Sequence, residues 1–300
     1  MSEAFFAVVN PAAGGGKCGK LVGPALERLR TAGLSIEVAE TDGEGHATSL
    51  VREAYGRGVR RFISVGGDGT ACEIVNGLFP EASAGARPTV AFLPLGTGNS
   101  FLRDFTREGI EHTTAAVIAG RTQPCDILRM RHRDGVLYFI NLLSVGFAAD
   151  VAVLRHRRFK GYGELGYLAS VFLTLVRLNR RPFPLRVEGE KEFDRRRCLF
   201  LSFNNSKFTG GKMMIAPNAH TNDGLIEYVR WGPIGRLGLI WNLPGLYTGS
   251  HIEHRLAESR GVRRIEFALD GAADVMVDGE VMSIQCETLD VLPSAVDVMV

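Results

Sequence analysis

An aspartate lies among glycines in the segment with the strongest chemical pattern of this sequence, which reads Ser-Val-Gly-Gly-Asp-Gly-Thr over residues 64–70. Glycines let a backbone approach a polyphosphate closely, and a helix that begins after them directs its positive end at bound phosphate. Asp68 would repel phosphate, so this interpretation requires it to face a metal ion or to accept a proton from an attacking hydroxyl. The alternative is an aspartate that only caps the helix predicted to begin at Thr70.

Two further glycine-rich loops follow predicted strands. Gly14 to Lys20 match the G-x-x-x-x-G-K phosphate-binding pattern, but Leu21 stands where that pattern needs a magnesium-binding hydroxyl. This loop is therefore either a backbone phosphate site or a flexible connection. Residues 93–100 read Leu-Pro-Leu-Gly-Thr-Gly-Asn-Ser. Ligands of open α/β sheets bind at the carboxyl ends of the strands, so three such loops favour nucleotide binding. The lack of G-x-G-x-x-G argues against a dinucleotide oxidoreductase.

The elements that must position these loops alternate between strand and helix through the first 120 residues, which predicts a parallel sheet with helices on both faces. Predicted strands cover 5–9, 34–39, 61–65 and 89–93, and predicted helices cover 20–32, 46–57 and 70–78. After about residue 125 the pattern predicts a β-rich domain of the sandwich type. Its strands are predicted over 127–133, 136–143, 185–190, 198–204, 225–230, 265–269, 274–277 and 287–292, with helices over 162–178 and 234–249.

Composition excludes several classes of protein. The chain has 300 residues, and 35 basic against 33 acidic side chains give a net charge of +2, so a general nucleic-acid binder is not expected. The five scattered cysteines contain no Cys-x-x-Cys and predict reduced thiols in a cytosolic protein. The longest uncharged run in the middle of the chain, residues 165–176, is too short to span a bilayer.

Basic residues flank an apolar helix predicted in the second half. Seven basic side chains between Arg155 and Arg181 lie on either side of residues 162–176, and one acidic side chain, Glu164, offsets them. Basic side chains beside an apolar helix suit an anionic membrane surface, and we expect transient peripheral contact with a membrane. The alternative is a core helix with solvated ends.

The motifs together resemble the diacylglycerol kinase and sphingosine kinase family, and are most similar to its soluble bacterial lipid kinases. The similarity rests on Gly66–Thr70 followed by Glu73–Leu78, and on the Pro-Leu-Gly-Thr-Gly-Asn motif of Pro94–Asn99. Shorter signatures match in the same order along nearly the whole chain, at residues 9–11, 41, 45–47, 222–225 and 277–280. Gly-Gly-Asp-Gly alone also occurs in NAD kinases and phosphofructokinases, so the combination of motifs carries the similarity.

The resemblance implies two domains with an active site in the cleft between them. Residues 1–125 would form the ATP-binding α/β domain, on which residues 293–300 can pack back, and residues 126–292 the β-rich domain for the lipid substrate. The expected ATP contacts are Asn10, Thr41, Gly66, Gly67, Asp68, Gly69, Thr70, Ala71, Cys72, Gly96, Thr97 and Gly98.

The resemblance also implies roles for single side chains. Glu280 would accept the proton of the lipid hydroxyl, and Asp68 would belong to the catalytic carboxylate network, since it is the favoured base in the sphingosine kinase branch. Asp150 would contact the polar head of the lipid, with a helix cap or a surface carboxylate as the alternative. A structural magnesium site is implied around Asp223, with oxygens from His220 and Leu225.

Two features leave these roles open. From the residues alone, Asp278-Gly279 and Asp223-Gly224 are hairpin turn signals, and Asp278 is expected to serve the turn or to support Glu280. Ser100 stands where the bacterial enzymes often carry an aspartate, which puts a metal-linked carboxylate network in doubt unless Asp104 substitutes for it.

The sequence therefore predicts an ATP-dependent and magnesium-dependent lipid kinase that acts on diacylglycerol or a related lipid such as a sphingoid base. The expected partners are ATP and a membrane-derived lipid, with a homodimer left open. The alternatives are an NAD kinase and a nucleotide-binding module without catalysis.

Overall fold

A computed structural model describes residues 4–159 and 162–300 of the chain. Its first half is a parallel sheet in which the strands lie in the order β2-β1-β3-β4. These strands are β1 (Phe5–Val9), β2 (Ile36–Glu40), β3 (Arg61–Gly66) and β4 (Thr89–Pro94). The helices between and after them are α1 (Lys17–Thr31), α2 (His46–Gly56), α3 (Asp68–Leu78) and α4 (Ile110–Ala119).

Helices cover both faces of this sheet, as the alternating pattern predicts. Alternate residues of β1 divide between two cores: Phe6 and Val8 pack with α2 and α3, whereas Phe5, Ala7 and Val9 pack with α1. The sheet is therefore buried on both sides, which explains the continuous apolar runs of its strands. Because the chain order reverses between β1 and β3, a crevice is expected at the carboxyl ends of these two strands.

The second half is built from two sheets that share a core. One sheet has the strand order β15-β14-β11-β7-β17-β18, and its apolar face packs on β5, β6, β9, β16 and β19 of the first sheet. The strands of the second half are β5 (Thr122–His132), β6 (Gly135–Phe139), β7 (Leu142–Gly146), β8 (Arg181–Pro182), β9 (Leu185–Val187), β10 (Arg197–Cys198), β11 (Phe200–Asn204), β12 (Phe208–Thr209), β13 (Met213–Met214), β14 (Ile226–Trp231), β15 (Ala257–Val262), β16 (Arg264–Phe267), β17 (Ala273–Val277), β18 (Glu280–Ile284) and β19 (Cys286–Met299). Its helices are α5 (Phe147–Leu154), α6 (Gly163–Val176), α7 (Arg236–Asn242) and α8 (Gly245–Thr248), and short single turns cover Glu81–Ser83, Phe101–Asp104, Arg155–Phe159 and Ser250–Glu253. The α/β architecture with a C-terminal sandwich is thus confirmed.

Strand β19 joins the two halves. It pairs with β5 along most of its length, and its last residues, Asp297–Met299, pair in parallel with Thr89–Ala91 of β4. The register shifts between Leu292 and Val296, where Ser294 adopts a positive φ of 47°. The parallel sheet and the sandwich therefore share one continuous hydrogen-bonded layer, which sets the position of the loops of one half against the hairpins of the other.

Several elements differ from the sequence prediction. The strand predicted over 136–143 is broken into β6 and β7, because the N–H groups of Ile140, Asn141 and Leu142 turn towards the carboxylate of Asp278. The strand predicted over 287–292 continues to Met299. Helix α5 and strands β15 and β18 were not predicted.

The five cysteines are all buried and unpaired. Among the described residues, no helix combines the length and the apolar character that a bilayer crossing needs.

Candidate active site

The three glycine loops meet at the carboxyl ends of β1, β3 and β4. The N–H of Gly96 in the third loop donates to the carbonyl of Gly66 in the second loop at 2.8 Å. A Cβ at Gly96 would lie 2.7 Å from the backbone nitrogen of Gly67, and a Cβ at Gly14 would lie 2.6 Å from the carbonyl oxygen of Leu95. A residue larger than glycine at either position would clash with the neighbouring loop, so glycine is required for the loops to contact one another.

Asn10 and Thr41 lie at the same edge of the sheet. The side-chain amide of Asn10 donates to the hydroxyl of Thr70 at 3.3 Å, and the N–H of Thr41 donates to the carbonyl of Val9 at 2.9 Å. The structure thus brings the loops at the ends of β1, β2, β3 and β4 together. This arrangement presents backbone N–H groups and the N-terminus of α3 to one crevice, which is a suitable place for phosphate.

Asp68 binds the third loop to the second. Its two carboxylate oxygens accept the N–H of Ser100 at 2.8 and 3.0 Å, and one of them also accepts the N–H of Phe101 at 3.4 Å. Burial raises the pKa of Asp68, and these N–H groups act against that rise. The cap proposed for α3 is not observed, because no side chain caps that helix. Asp68 instead holds the start of the helical turn at Phe101–Asp104.

No carboxylate at position 100 is needed to extend this network. The hydroxyl of Ser100 accepts the N–H of Gly211 at 2.9 Å and so links the third loop to the C-terminal half. Asp104 pairs with the ammonium of Lys207 at 3.1 Å and accepts the N–H of the same residue at 2.8 Å. Asp104 therefore ties the two halves together beside the loops and is occupied by this pair.

Glu280 lies against the second glycine loop. A Cβ at Gly69 would stand 2.5 Å from Oε1 of Glu280, so this carboxylate reaches the loop across the junction of the two halves. It is held there by the hairpin of β17 and β18, in which Val277 pairs with Glu280 across the two-residue turn Asp278-Gly279. Both turn residues have positive φ, 47° and 91°, which is the geometry that favours an Asp-Gly turn.

Asp278 is the site residue whose importance the sequence reasoning missed. It is buried, with 1% of its surface exposed, and its carboxylate accepts the N–H groups of Ile140, Asn141 and Leu142 at 2.9–3.0 Å. Burial raises its pKa to about 7, the N–H groups oppose that rise, and the negative charge of Asp68 adds to it. Its only signal in the sequence is the hairpin pattern, which does not reveal burial.

Carboxylates converge on Cys72, one helical turn after Asp68 on α3. Burial raises the pKa of the Cys72 thiol well above its ordinary value, and the charges of Asp278, Glu280, Glu73 and Asp68 raise it further. The crevice thus combines phosphate-binding backbone with acidic groups from both halves. This combination suits phosphoryl transfer to a hydroxyl, which needs positioned phosphates and a proton acceptor.

Asp150 forms an ion pair of its own. It is in α5, which follows the Gly146 end of β7, and it pairs with the guanidinium of Arg181. Burial raises its pKa, Arg181 lowers it and Asp274 raises it again.

The residues proposed for magnesium form a separate group of oxygen donors. The carboxylate of Asp223 accepts the N–H of Leu225 at 2.9 Å. The turn at Asp223-Gly224 does not connect two strands that pair with each other, so the hairpin alternative for it is wrong. Burial and then the charge of Asp223 raise the pKa of Asp126 and of Glu227. Within 4–159 and 162–300, no group of three His, Cys, Asp or Glu side chains is arranged for a metal. The negative charges of Asp223, Asp126 and Glu227 act on one another, and carboxylate and carbonyl oxygens are the ligands that a hard cation such as magnesium takes.

Both halves of the chain match known protein families. Residues 4–130 match the sequence model of the diacylglycerol kinase catalytic domain, and residues 141–300 match that of the YegS C-terminal NAD kinase beta sandwich-like domain. A protein named diacylglycerol kinase from Mycobacterium tuberculosis (strain ATCC 25618 / H37Rv) is 27% identical over 297 residues, which cover 98% of this chain and 94% of that protein.

Two further similarities cover other relatives. A protein named probable lipid kinase YegS-like from Enterobacter sp. (strain 638) is 30% identical over 210 residues, which cover 69% of this chain and 68% of that protein. The crystal structure of a putative diacylglycerol kinase from Bacillus anthracis str. Sterne superimposes with a TM-score of 0.79 at 21% identity, covering 99% of this chain and 95% of that one. This last similarity shows that the two chains share a fold.

Proposed function

This chain belongs to the bacterial lipid kinase family of diacylglycerol kinase and YegS-like proteins, and we propose from this premise that it transfers the γ-phosphate of ATP to a hydroxyl of diacylglycerol or a related lipid. The observation that carries the proposal is the carboxylate of Glu280 beside Gly69. In this proposal residues 1–125 bind ATP and residues 126–292 bind the lipid.

The glycine loops would hold the triphosphate. The backbone of Gly66–Cys72 and Gly96–Gly98 lies at the positive end of α3, and Asn10 and Thr41 lie beside it. A magnesium ion bound with the nucleotide would neutralise charge on the phosphates. A second magnesium ion would be held by Asp223 with the carbonyls of His220 and Leu225, where it would offset the repulsion among the carboxylates and stabilise the loop.

Glu280 would act as the proton acceptor. The lipid hydroxyl gives its proton to Glu280 as its oxygen bonds to the γ-phosphorus, and the bond from that phosphorus to the β-phosphate oxygen breaks to release ADP. Glu280 is an exposed residue at the start of β18 and reaches Gly69. Both oxygens of Asp68 accept backbone N–H groups of the third loop. Asp68 would therefore position the third loop, and Asp278 would hold the hairpin of Glu280.

Helix α6 supports a lipid substrate over NAD, because its amphipathic pattern is inverted. It buries a stripe of small and polar residues, Gly166, Ser170 and Thr174. It exposes its large apolar side chains, with 77% of Leu165, 61% of Leu168, 63% of Phe172 and 51% of Val176 accessible. A soluble protein does not maintain such a face without something that covers it.

Helix α7 continues this apolar face. Arg236 at its start donates to the carbonyl of Val176 at 2.8 Å, which places α7 against the end of α6. Leu237 is 83% exposed and Trp241 is 86% exposed. Exposed arginines border the face at positions 155, 157, 158, 177 and 180, and Lys160 lies outside the described residues. We infer that α6 and α7 dock on an anionic bilayer, since arginine and tryptophan around apolar side chains suit that interface.

Vesicle binding tests the docking face. Trp241→Ser and Phe172→Ser should each weaken sedimentation with phosphatidylglycerol vesicles about tenfold or more, because each removes a large apolar group from the contact. Ile118→Ser is the control, since Ile118 is 41% exposed on the distant α4. Equal binding by all four proteins would contradict the docking face. Loss of a wild-type dimer in the Trp241 variant, with vesicle binding unchanged, would show that a second copy covers it instead.

Transfer of labelled phosphate tests the function. Purified protein with labelled ATP should phosphorylate a lipid in a panel of diacylglycerols and sphingoid bases, and should leave NAD unlabelled. Glu280→Gln should lower kcat roughly 10²–10⁴-fold with unchanged affinity for ATP, since it removes a general base. Glu287→Gln, an exposed glutamate of β19, is the control. Labelled NAD would favour an NAD kinase, and full turnover in the Glu280 variant would show that another group accepts the proton.

A further inference from the structure

A cavity of about 660 Å³ opens between the parallel-sheet half and the β5–β6 hairpin. Its volume lies in the range of sites that hold small organic ligands. Helices α2 and α3 and the two strands of the hairpin line it, with Thr48, Arg52, Asn76, Phe79, Pro80, Arg129, Arg131, Val136 and Tyr138. None of the glycine-loop residues is among them.

Three guanidinium groups face this cavity, and two of them have no acidic partner among the residues that the structure describes. Arg129 makes a two-pronged pair with Asp290 at 2.7 and 2.8 Å, so its charge is largely offset. Arg52 donates to the carbonyl of Asn76 at 3.2 Å. Among the ion pairs of the described residues, none involves Arg52 or Arg131, and both retain donors for a ligand. Planar guanidinium groups of this kind bind phosphate oxygens in pairs.

The remaining wall of the cavity is apolar and aromatic. The rings of Phe79 and Tyr138 stack with their centroids 5.1 Å apart, and Val136 stands beside them with 42% of its surface exposed. Phe79 and Tyr138 are buried behind this wall, and its exposed apolar surface belongs to Val136 and Pro80. An anion without an organic part would leave that surface in contact with water. The combination of cationic and apolar walls therefore favours a phosphate ester over a bare inorganic ion.

The cavity is built before a ligand arrives. The side chain of Asn76 donates to the carbonyl of Tyr138 at 2.7 Å and accepts the N–H of the same residue at 3.0 Å. These two hydrogen bonds between α3 and β6 hold the helix wall and the hairpin wall of the cavity in fixed positions. Two residues after Tyr138, the N–H of Ile140 donates to the carboxylate of Asp278. The cavity therefore lies beside the backbone segment that binds Asp278.

The cavity is separate from the phosphate-binding crevice. Asn76 follows Asp68 by eight residues on α3, which places it about 12 Å along the helix axis. We propose that this cavity is a second binding site, which takes a phosphate ester through Arg52 and Arg131 with its organic part against Val136 and Pro80. The site is independent of the proposed kinase activity, and its ligand is either a soluble phosphate ester or the phosphate headgroup of a lipid.

Calorimetric titration with glycerol 3-phosphate, in the presence and absence of saturating ATP, tests the site. Binding should persist with ATP, should weaken at least tenfold in Arg131→Gln, and should be lost in Arg52→Gln/Arg131→Gln. Arg133→Gln is the matched control, because it removes the same charge from the same hairpin without lining the cavity. Thermal unfolding of all variants confirms that each is folded.

Vesicles with and without phosphatidic acid separate the two sources of the ligand. Binding of phosphatidic acid vesicles that depends on Arg52 and Arg131, with weak binding of glycerol 3-phosphate, would assign the site to a lipid headgroup. Arginine-dependent binding of glycerol 3-phosphate would assign it to a soluble ester. The proposal is overturned if the double variant binds both probes like the wild type, if Arg133→Gln reduces binding equally, or if ATP displaces the probe.

Discussion

The buried carboxylate of Asp278 should make the stability of this protein depend on pH in a way that one substitution removes. Asp278→Asn keeps the size and shape of the side chain, and asparagine tolerates the positive φ of 47° as well as aspartate does. The oxygen that remains can accept the N–H groups of Asn141 and Leu142, as Oδ1 does now. The new amide nitrogen would face the N–H of Ile140, and this unpaired donor costs about 1–3 kcal/mol at every pH.

The size of the effect follows from the pKa of Asp278, which burial raises from 3.8 to about 7. The native state therefore keeps a proton that the unfolded chain releases between these two values. The free energy of unfolding contributed by this group is fully present below pH 3.8 and is lost as the pH rises through 7. At 1.36 kcal/mol for each pH unit, the loss is roughly 4 kcal/mol. Asparagine does not titrate, so the variant does not show this loss in the free energy of unfolding.

Urea unfolding followed by circular dichroism from pH 4 to pH 8 measures this effect. The free energy of unfolding of Asp278→Asn, minus that of the wild type, should rise by up to about 4 kcal/mol across this range. The other carboxylates whose pKa burial raises are present in both proteins, so their contributions cancel in this difference. They are Asp68, Asp126, Asp150 and Glu227. Asp270→Asn, an exposed residue of the loop before β17, should follow the wild type. Parallel profiles for Asp278→Asn and the wild type would refute the reasoning.

Substitutions in the glycine loops yield three further predictions. Gly69→Ala should lower kcat tenfold or more with little change in ATP affinity, because the new Cβ would stand 2.5 Å from Oε1 of Glu280 and displace that carboxylate. The control in the same steady-state assay is Gly271→Ala, since Gly271 has open space around it. Gly69→Ala in the Glu280→Gln background should cost much less than it does alone, and additive losses would show that the two residues act independently. Gly96→Ala should abolish ATP binding in a calorimetric titration, since its Cβ would lie 2.7 Å from the backbone nitrogen of Gly67 and force the second and third loops apart. An unchanged affinity for ATP would contradict the arrangement of these loops.

Much of the site could be predicted from local patterns. The alternation of strands and helices before residue 120 places the loops after β1, β3 and β4 at one edge of a parallel sheet, because successive parallel strands point the same way. The Asp-Gly turn at 278 and 279 likewise predicts the hairpin that carries Glu280. Each of these inferences uses signals within a few residues of one another.

Helix α6 shows where local patterns fail. Its apolar spacing is compatible with a core helix, yet the structure buries Ser170 and exposes Leu165 and Phe172. Periodicity shows that a helix has an apolar face but not which face its neighbours cover. That choice was made by α5 and the turn at Arg155–Phe159, which pack against the other side of α6.

By itself, the sequence determined the kinds of elements, the loops that can approach phosphate and the family to which the chain belongs, since these depend on residue types in short stretches. Only the tertiary structure decided that Asp278 is buried on the N–H groups of residues 140–142, more than 130 positions earlier in the chain, and that Arg52 and Arg131 share a cavity. The physical reason is that burial and charge pairing depend on distance in space. The pairing of β19 with β4, β5 and β16 sets these distances, and no short segment of the chain contains that information.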